Sequence, residues 1–326
     1  MKTSYRLEKT TIGKKWDEFV KSSWNGILFS YSIYLKSISC NPQLYYCYNK
    51  QELRAAIVVL ETEDHRSLTL HGLVVHNGII FGSPANKQNL AQQNSERFRI
   101  TEFIAEELPQ IYKNIELRLD PLCQDIRPFL WVNYGTNSPK YQVVNIRYTS
   151  YLSIKNLYIN WEDSEIFENL SSSRKQEVRY ANRKGVVTRE EFKQELFIEF
   201  LMNTYLRQGI EIDHQVIEEN VQLIKQLFEA NLGYMFVSYT KDNIPGSIAF
   251  FGIDHKRAYY LFGANDPALR NEHTGTAVLW DAFKFLGSKG IDEVDMEGVN
   301  SPERGWFKLS FGGTISSYYH LSYHGN

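Results

Sequence analysis

Arg270-Asn271-Glu272-His273-Thr274-Gly275-Thr276-Ala277 opens a run that continues unbroken to Phe311-Gly312-Gly313. The first eight residues read as a polar turn entering a helix. Leu279, Ala282, Phe283 and Leu286 then recur at helical spacing and place one apolar stripe on one face. Gly287 and Gly290 flank Lys289 where that helix should stop, a setting for positive φ and for a cation near the helix C-terminus. Ile291 to Met296 reads as a short strand. Glu297-Gly298-Val299-Asn300 leaves it, Ser301-Pro302-Glu303 starts a second helix, and Trp306-Phe307-Lys308 lies inside that helix. A glycine at a helix N-terminus, followed by a strand that ends in acids, can hold an anionic ligand and perform acid–base work.

Upstream of this run, Tyr234–Tyr239, Ser247–Ile253 and Ala258–Phe262 read as strands joined by polar turns. The same order occurs earlier in the chain. Leu44–Asn49, Leu53–Leu60, Leu68–His76 and Gly78–Phe81 read as strands, Phe98–Tyr112 as a helix, and Ile115–Asp120 as a strand. Phe81-Gly82 answers Phe262-Gly263, and Asp120 answers Asp295. The pattern therefore predicts two copies of a meander–helix–strand unit, an α+β fold with mixed, mainly antiparallel sheets. The join is expected near residues 145/146, giving domains 1–145 and 146–326, packed with a cleft between or beside them.

Composition bounds the function. The chain has 326 residues, 43% hydrophobic and 14% aromatic, enough for two cores. Lys and Arg total 36 against 38 Asp and Glu, so bulk charge gives no reason for wholesale nucleic-acid binding. Cys40, Cys47 and Cys123 form no CxxC pair, which suits a reducing, cytoplasmic setting. The polar stretch Met1–Thr11 lacks the apolar core of a secretion signal, and the longest apolar runs are strand-length. A soluble protein is expected.

Several residues could carry chemistry. Lys175, Arg179 and Arg183 fall at i, i+4 and i+8 on a helix that Ser173 and Gln176 are spaced to cap and Gly185 to end. They form either a wall for an anionic substrate or a solvated helix face. Arg270, Thr274, Gly275 and Thr276 sit where backbone amides could receive a phosphate, and a plain polar helix start fits them too. Asp295 and Glu297 leave a buried strand, and Lys308 follows within reach. These suit a base and an oxyanion donor, or a structural ion pair. His320 and His324 share a strand face with no third ligand in view, so no metal site is expected. GxSxG, P-loop and GxGxxG motifs are absent from the sequence.

Leu170–Val186, Phe262-Gly263-Ala264, Gly290–Asp295 and Gly305–Gly313 together resemble the FemAB-like branch of the GNAT acyltransferases. That branch shows a basic helix ending in Lys-Gly, a strand ending in aspartate, and Phe-Lys-x-x-Phe-Gly. The resemblance is best over 146–320. It implies tandem GNAT-like domains and transfer of an acyl or aminoacyl group to an amine. Lys308 matches the motif lysine, thought to stabilise the polarised carbonyl, and Asp295 matches the strand-end acid, with Glu297 the second candidate base. Arg179 and Arg183 match the basic helix near the acceptor. Arg270, Gly275 and Thr276 take the place of the GNAT pyrophosphate loop, with a longer spacing than that motif. The implied donor is acyl-CoA and the acceptor an amine of a cell-envelope precursor such as an amino sugar. Alternatives are an aminoacyl-tRNA donor, as in peptidoglycan-bridge members, and a non-catalytic ligand-binding GNAT-like protein. No heptad stretch long enough for the helical arm of the tRNA-using enzymes is present.

Overall fold

The computed structural model describes residues 4–85, 87–211 and 213–325. Of the polar N-terminal stretch, the first three residues lie outside the described ones. Two compact units emerge, Met1–Arg147 with Ser317–Asn326, and Tyr148–Ser316. The split read from sequence gave the C-terminal tail to the second half, and the structure corrects this. His320–His324 pair antiparallel with Asn114–Arg118, and Leu321 and Tyr323 are buried in the first unit's core.

Unit 1 begins with β1 (Tyr5–Thr10), α1 (Lys14–Ser22), α2 (Ser32–Lys36), β2 (Pro42–Asn49), β3 (Glu52–Glu61), β4 (Leu68–Thr69) and β5 (Gly78–Phe81). β1, β2 and β3 form an antiparallel meander, and both β4 and β5 pair with β3. Ala55–Leu60 of β3 is buried throughout, as a strand covered on both faces requires. The expected strand at Leu68–His76 stops at Thr69, and the chain turns through His71 before β5. α3 (Leu90–Ile111) starts well before the predicted residue 98. Asn89 and Gln92 form a capping box, each side chain bonding the other's backbone N–H at 2.9 Å. β6 (Asn114–Arg118) and α4 (Arg127–Trp131) follow.

β7 (Tyr141–Ser153) leads into unit 2, which adds α5 (Glu165–Asn169), α6 (Ser172–Arg183), β8 (Val187–Glu190), α7 (Gln194–Arg207), α8 (His214–Glu229), β9 (Gly233–Tyr239), β10 (Pro245–Ile253) and β11 (Ala258–Asn265). α9 (Thr274–Ser288), β12 (Glu293–Asp295), α10 (Pro302–Leu309) and β13 (Thr314–His324) complete the chain. The sheet runs from β7 through β12, β11, β10 and β9 to β8, antiparallel except for β11 beside β12. α9 packs on this sheet through Val278, Leu279, Ala282, Phe283 and Leu286, all buried. Ser171, rather than Ser173, caps α6, accepting from the N–H of Arg174 at 3.3 Å. Among the described residues, no helix is long and apolar enough to cross a membrane.

Candidate active site

The parallel strands β11 and β12 touch over only two residue pairs, Ala258 with Val294 and Tyr259 with Asp295. β11 then runs on to Asn265, with a bulge at Leu261 that shifts its register against β10. The other strand turns away, and the N–H of Met296 donates to the carbonyl of Ser150 at 2.9 Å. Parallel strands that part in this way leave exposed backbone between them, and ligands bind outside such strand ends.

Asp295 lies at the parting and is buried. Its Oδ1 accepts the hydroxyl of Thr149 and, at 2.8 Å, the N–H of Glu297. Burial pushes its pKa up, against the pull of those two donors and of Arg257 and Lys308. Glu297 adopts φ 56°, a left-handed conformation that side chains seldom take. That turn aims the carboxylate inward, where Oε1 is buried with no hydrogen-bond partner among the described residues. Burial and then the Asp295 charge hold the Glu297 pKa well above the carboxylate range, with Lys308 opposing. Asn300 fixes the loop that follows, trading hydrogen bonds of 2.7 and 3.0 Å with the backbone of Tyr148.

Lys308 reaches this group from α10. Its Nζ donates to the carbonyl of Gly298 at 3.4 Å and stands 5.1 Å from the centre of the Tyr260 ring. Burial draws its pKa down to about 8, against the raising effect of Glu297 and Asp295, while Arg304 pushes it down further. A raised carboxylate and a lowered ammonium side by side suit acid–base chemistry. The structure thus brings Asp295, Glu297 and Lys308 together. The larger clefts of unit 2 lie elsewhere. One of about 500 Å³ is lined by Lys155, Asp163 and Gly312, another of about 420 Å³ by Glu190 and Lys284, and the triad lines neither.

The other predicted residues lie at and before the start of α9 and along α6. At the start of α9, His273 is left-handed at φ 61° and no side chain caps the helix. Thr274 turns its hydroxyl to Ser247 at 2.8 Å, and Thr276 turns its hydroxyl to Glu177 and Arg174. Those side chains are committed to the protein, and the N–H groups of Thr276 and Ala277 donate to the carbonyl of His273 at 3.2 and 3.1 Å, so an anion at this helix start would meet the N–H groups of Thr274 and Gly275. A Cβ on Gly275 would come within 2.8 Å of Oδ1 of exposed Asn265, so a side chain there would have to displace that amide. Arg270 is exposed, and Lys184 braces its loop through the carbonyl of Asn271 at 2.7 Å and Glu272 at 3.1 Å.

Lys175, Arg179 and Arg183 share one face of α6 but do not converge on the triad. Lys175 donates to the carbonyl of Glu168 at 2.8 Å, Arg179 lies 5.2 Å from the Phe167 ring, and Arg183 lies 4.6 Å from the Tyr180 ring. The cation that sequence reading missed is Arg174. It is buried, donates to Ser310 at 2.9 Å and to Glu177 and Thr276, and lies 4.4 and 4.9 Å from the rings of Phe307 and Phe311. It ties α6 and α9 to the helix that carries Lys308. Its signal was present: Arg174, Val178 and Ala181 form the buried stripe of α6. Elsewhere, His320 pairs with Glu116 and His324 meets Asn114 at 3.4 Å. Among the described residues no group of three or more His, Cys, Asp or Glu could hold a metal ion.

Residues 171–304 match the acetyltransferase (GNAT) domain family. Lys308 lies just beyond that segment. A search of curated proteins gives no match. Among solved structures, FemX is similar with TM-score 0.67, 13% identity and 96% of each chain covered. A tandem GNAT protein from the clavulanic acid biosynthesis pathway gives 0.51, 7% identity and 98% of each chain. L-PGS from Bacillus licheniformis gives 0.51, 10% identity, covering 97% of this chain and 95% of that one. Residues 171–304 are similar to the GNAT acetyltransferase domain, and along nearly its whole length the chain shares its fold with FemX and with the tandem GNAT protein.

Proposed function

We propose that the protein is an N-acyltransferase that moves an acyl group from acyl-CoA to an amine of a cell-envelope precursor such as an amino sugar. The observation that carries this reading is the cluster at the parting of β11 and β12, where Glu297 and Asp295 face Lys308. An acceptor amine attacks the thioester carbonyl, a C–N bond forms, and the C–S bond breaks. The amine's proton passes to the ionised carboxylate of Asp295, or of Glu297 where that is the one ionised, directly or through water, and the departing thiolate takes up a proton. Lys308 offsets the negative charge that builds on the carbonyl oxygen. The amides around Gly275 offer the donor's phosphates a seat, and Lys175, Arg179 and Arg183 offer charge to an anionic acceptor. A second reading, aminoacyl transfer from tRNA, is favoured by likeness to FemX along nearly the whole chain.

The test is thiol release from acetyl-CoA in the presence of amino-sugar acceptors, beside amide formation from a charged tRNA. Lys308→Ala should slow the reaction on the order of a hundredfold while the protein stays folded. Full activity in Lys308→Ala removes the role given to that residue. A protein that binds anionic ligands and turns over neither donor is a binding module on this scaffold.

A further inference from the structure

Unit 1 repeats the turn that builds the site in unit 2. In each, the strand after the long helix runs out to an aspartate whose Oδ1 accepts the N–H two residues on, Asp120 from Leu122 at 2.8 Å and Asp295 from Glu297 at 2.8 Å. In unit 1 this turn opens onto a cavity of about 290 Å³. Phe81, Phe98, Leu119, Leu122 and Phe129 give it an apolar wall, and Arg97 enters from α3.

The charge inside is unbalanced. Arg127 at the rim is held by Asp125 through two bonds of 2.8 and 2.7 Å. Arg97 lies 3.8 Å over the Trp24 ring and bonds only Gln93 at 3.2 Å and Asn94 at 3.4 Å, on its own helix. It makes no ion pair among the described residues. Partial burial pushes the guanidinium's pKa down, with Cys123 and Glu96 opposing. A cation costs free energy in an apolar cavity unless a counter-charge meets it. Phosphate has no seat here like that at α9, because the capping box of Asn89 and Gln92 closes the start of α3.

We propose that this cavity is a second ligand site, for a small monocarboxylate with an apolar body, its carboxylate on Arg97 and its chain or ring against Phe81, Phe98 and Leu122. The site stands on unit 1 alone and does not depend on the acyl-transfer reading.

The experiment is calorimetric titration of the full chain with octanoate and 3-phenylpropanoate, and with octanamide as the uncharged control. At least one acid should bind saturably, with octanamide at least tenfold weaker. Arg97→Gln should weaken the acid at least tenfold, and Leu122→Trp, which fills the cavity from a partly exposed position, should abolish binding. Lys308→Met should leave it unchanged. The proposal is overturned if neither acid binds, if octanamide or folded Arg97→Gln binds as well, or if Lys308→Met removes the binding.

Discussion

Lys308 and Glu297 carry opposite perturbations, and each has a readable consequence. Lys308 is held at about 8 by burial, so its positive charge is lost as pH rises through that value. If the cation supports the transition state, kcat/KM should fall across the same interval. In Lys308→Arg that limb should move to higher pH, because a guanidinium stays charged. A limb that stays in place in the variant would assign it to another group. Glu297 works in the other direction. Its folded pKa is raised above the unfolded value, so the folded chain holds the extra proton across the window between them. Its contribution to stability is fully present below the unfolded pKa and is lost as pH rises through the folded one. Lys308, with a lowered folded pKa, disfavours folding below about 8 and becomes neutral to stability as pH rises toward the ordinary lysine range. Glu297→Gln should therefore flatten the change in urea midpoint as pH rises above the ordinary glutamate range, relative to the parent chain. An unchanged slope would mean that Glu297 is ionised in the folded state.

At the scale of elements, the motif Phe307-Lys308-Leu309-Ser310-Phe311-Gly312 explains its own glycine. Gly312 sits at φ 83°, and a Cβ there would come within 2.6 Å of the carbonyl oxygen of Asn169. Only glycine lets the chain leave α10 past the end of α5. Gly312→Ala should cost about 2–4 kcal/mol in denaturant unfolding of unit 2, from the strained φ and the backbone clash together. A cost below ~1 kcal/mol would mean the turn relaxes freely. The motif's run of residue types was legible in the sequence, and so were α9, β12 and the acids beyond it. The buried role of Arg174 was not, because an arginine beside Lys175 and Arg179 reads as one more surface cation. Only the packing of Phe307 and Phe311 around its guanidinium turns it inward. The Leu68–His76 segment misled for a related reason. It has the apolar content of a strand, but pairing ends at Thr69 and local turns take over.

For the molecule as a whole, the C-terminal tail is the informative part. It follows every motif of unit 2 in sequence yet belongs to unit 1, where it supplies the antiparallel partner of β6. Ending the chain at Ser316 should therefore weaken unit 1 rather than unit 2. Removing buried Leu321 and Tyr323 together with a strand should abolish the unit 1 transition in a denaturant titration, while the unit 2 transition persists. Loss of the unit 2 transition instead would reverse the assignment.

Periodicity, glycine placement and strand-end acids determined, from the sequence alone, a tandem α+β chain with its chemistry expected at Asp295, Glu297 and Lys308. Those signals are local, and each is fixed by neighbours three or four residues away. Tertiary structure alone decided which cation is buried, which threonine hydroxyls of α9 are already committed, and which unit receives the last strand. Those outcomes depend on contacts between residues far apart in the chain, such as Arg174 with Ser310 and His320 with Arg118. No pattern of residue types encodes such contacts locally.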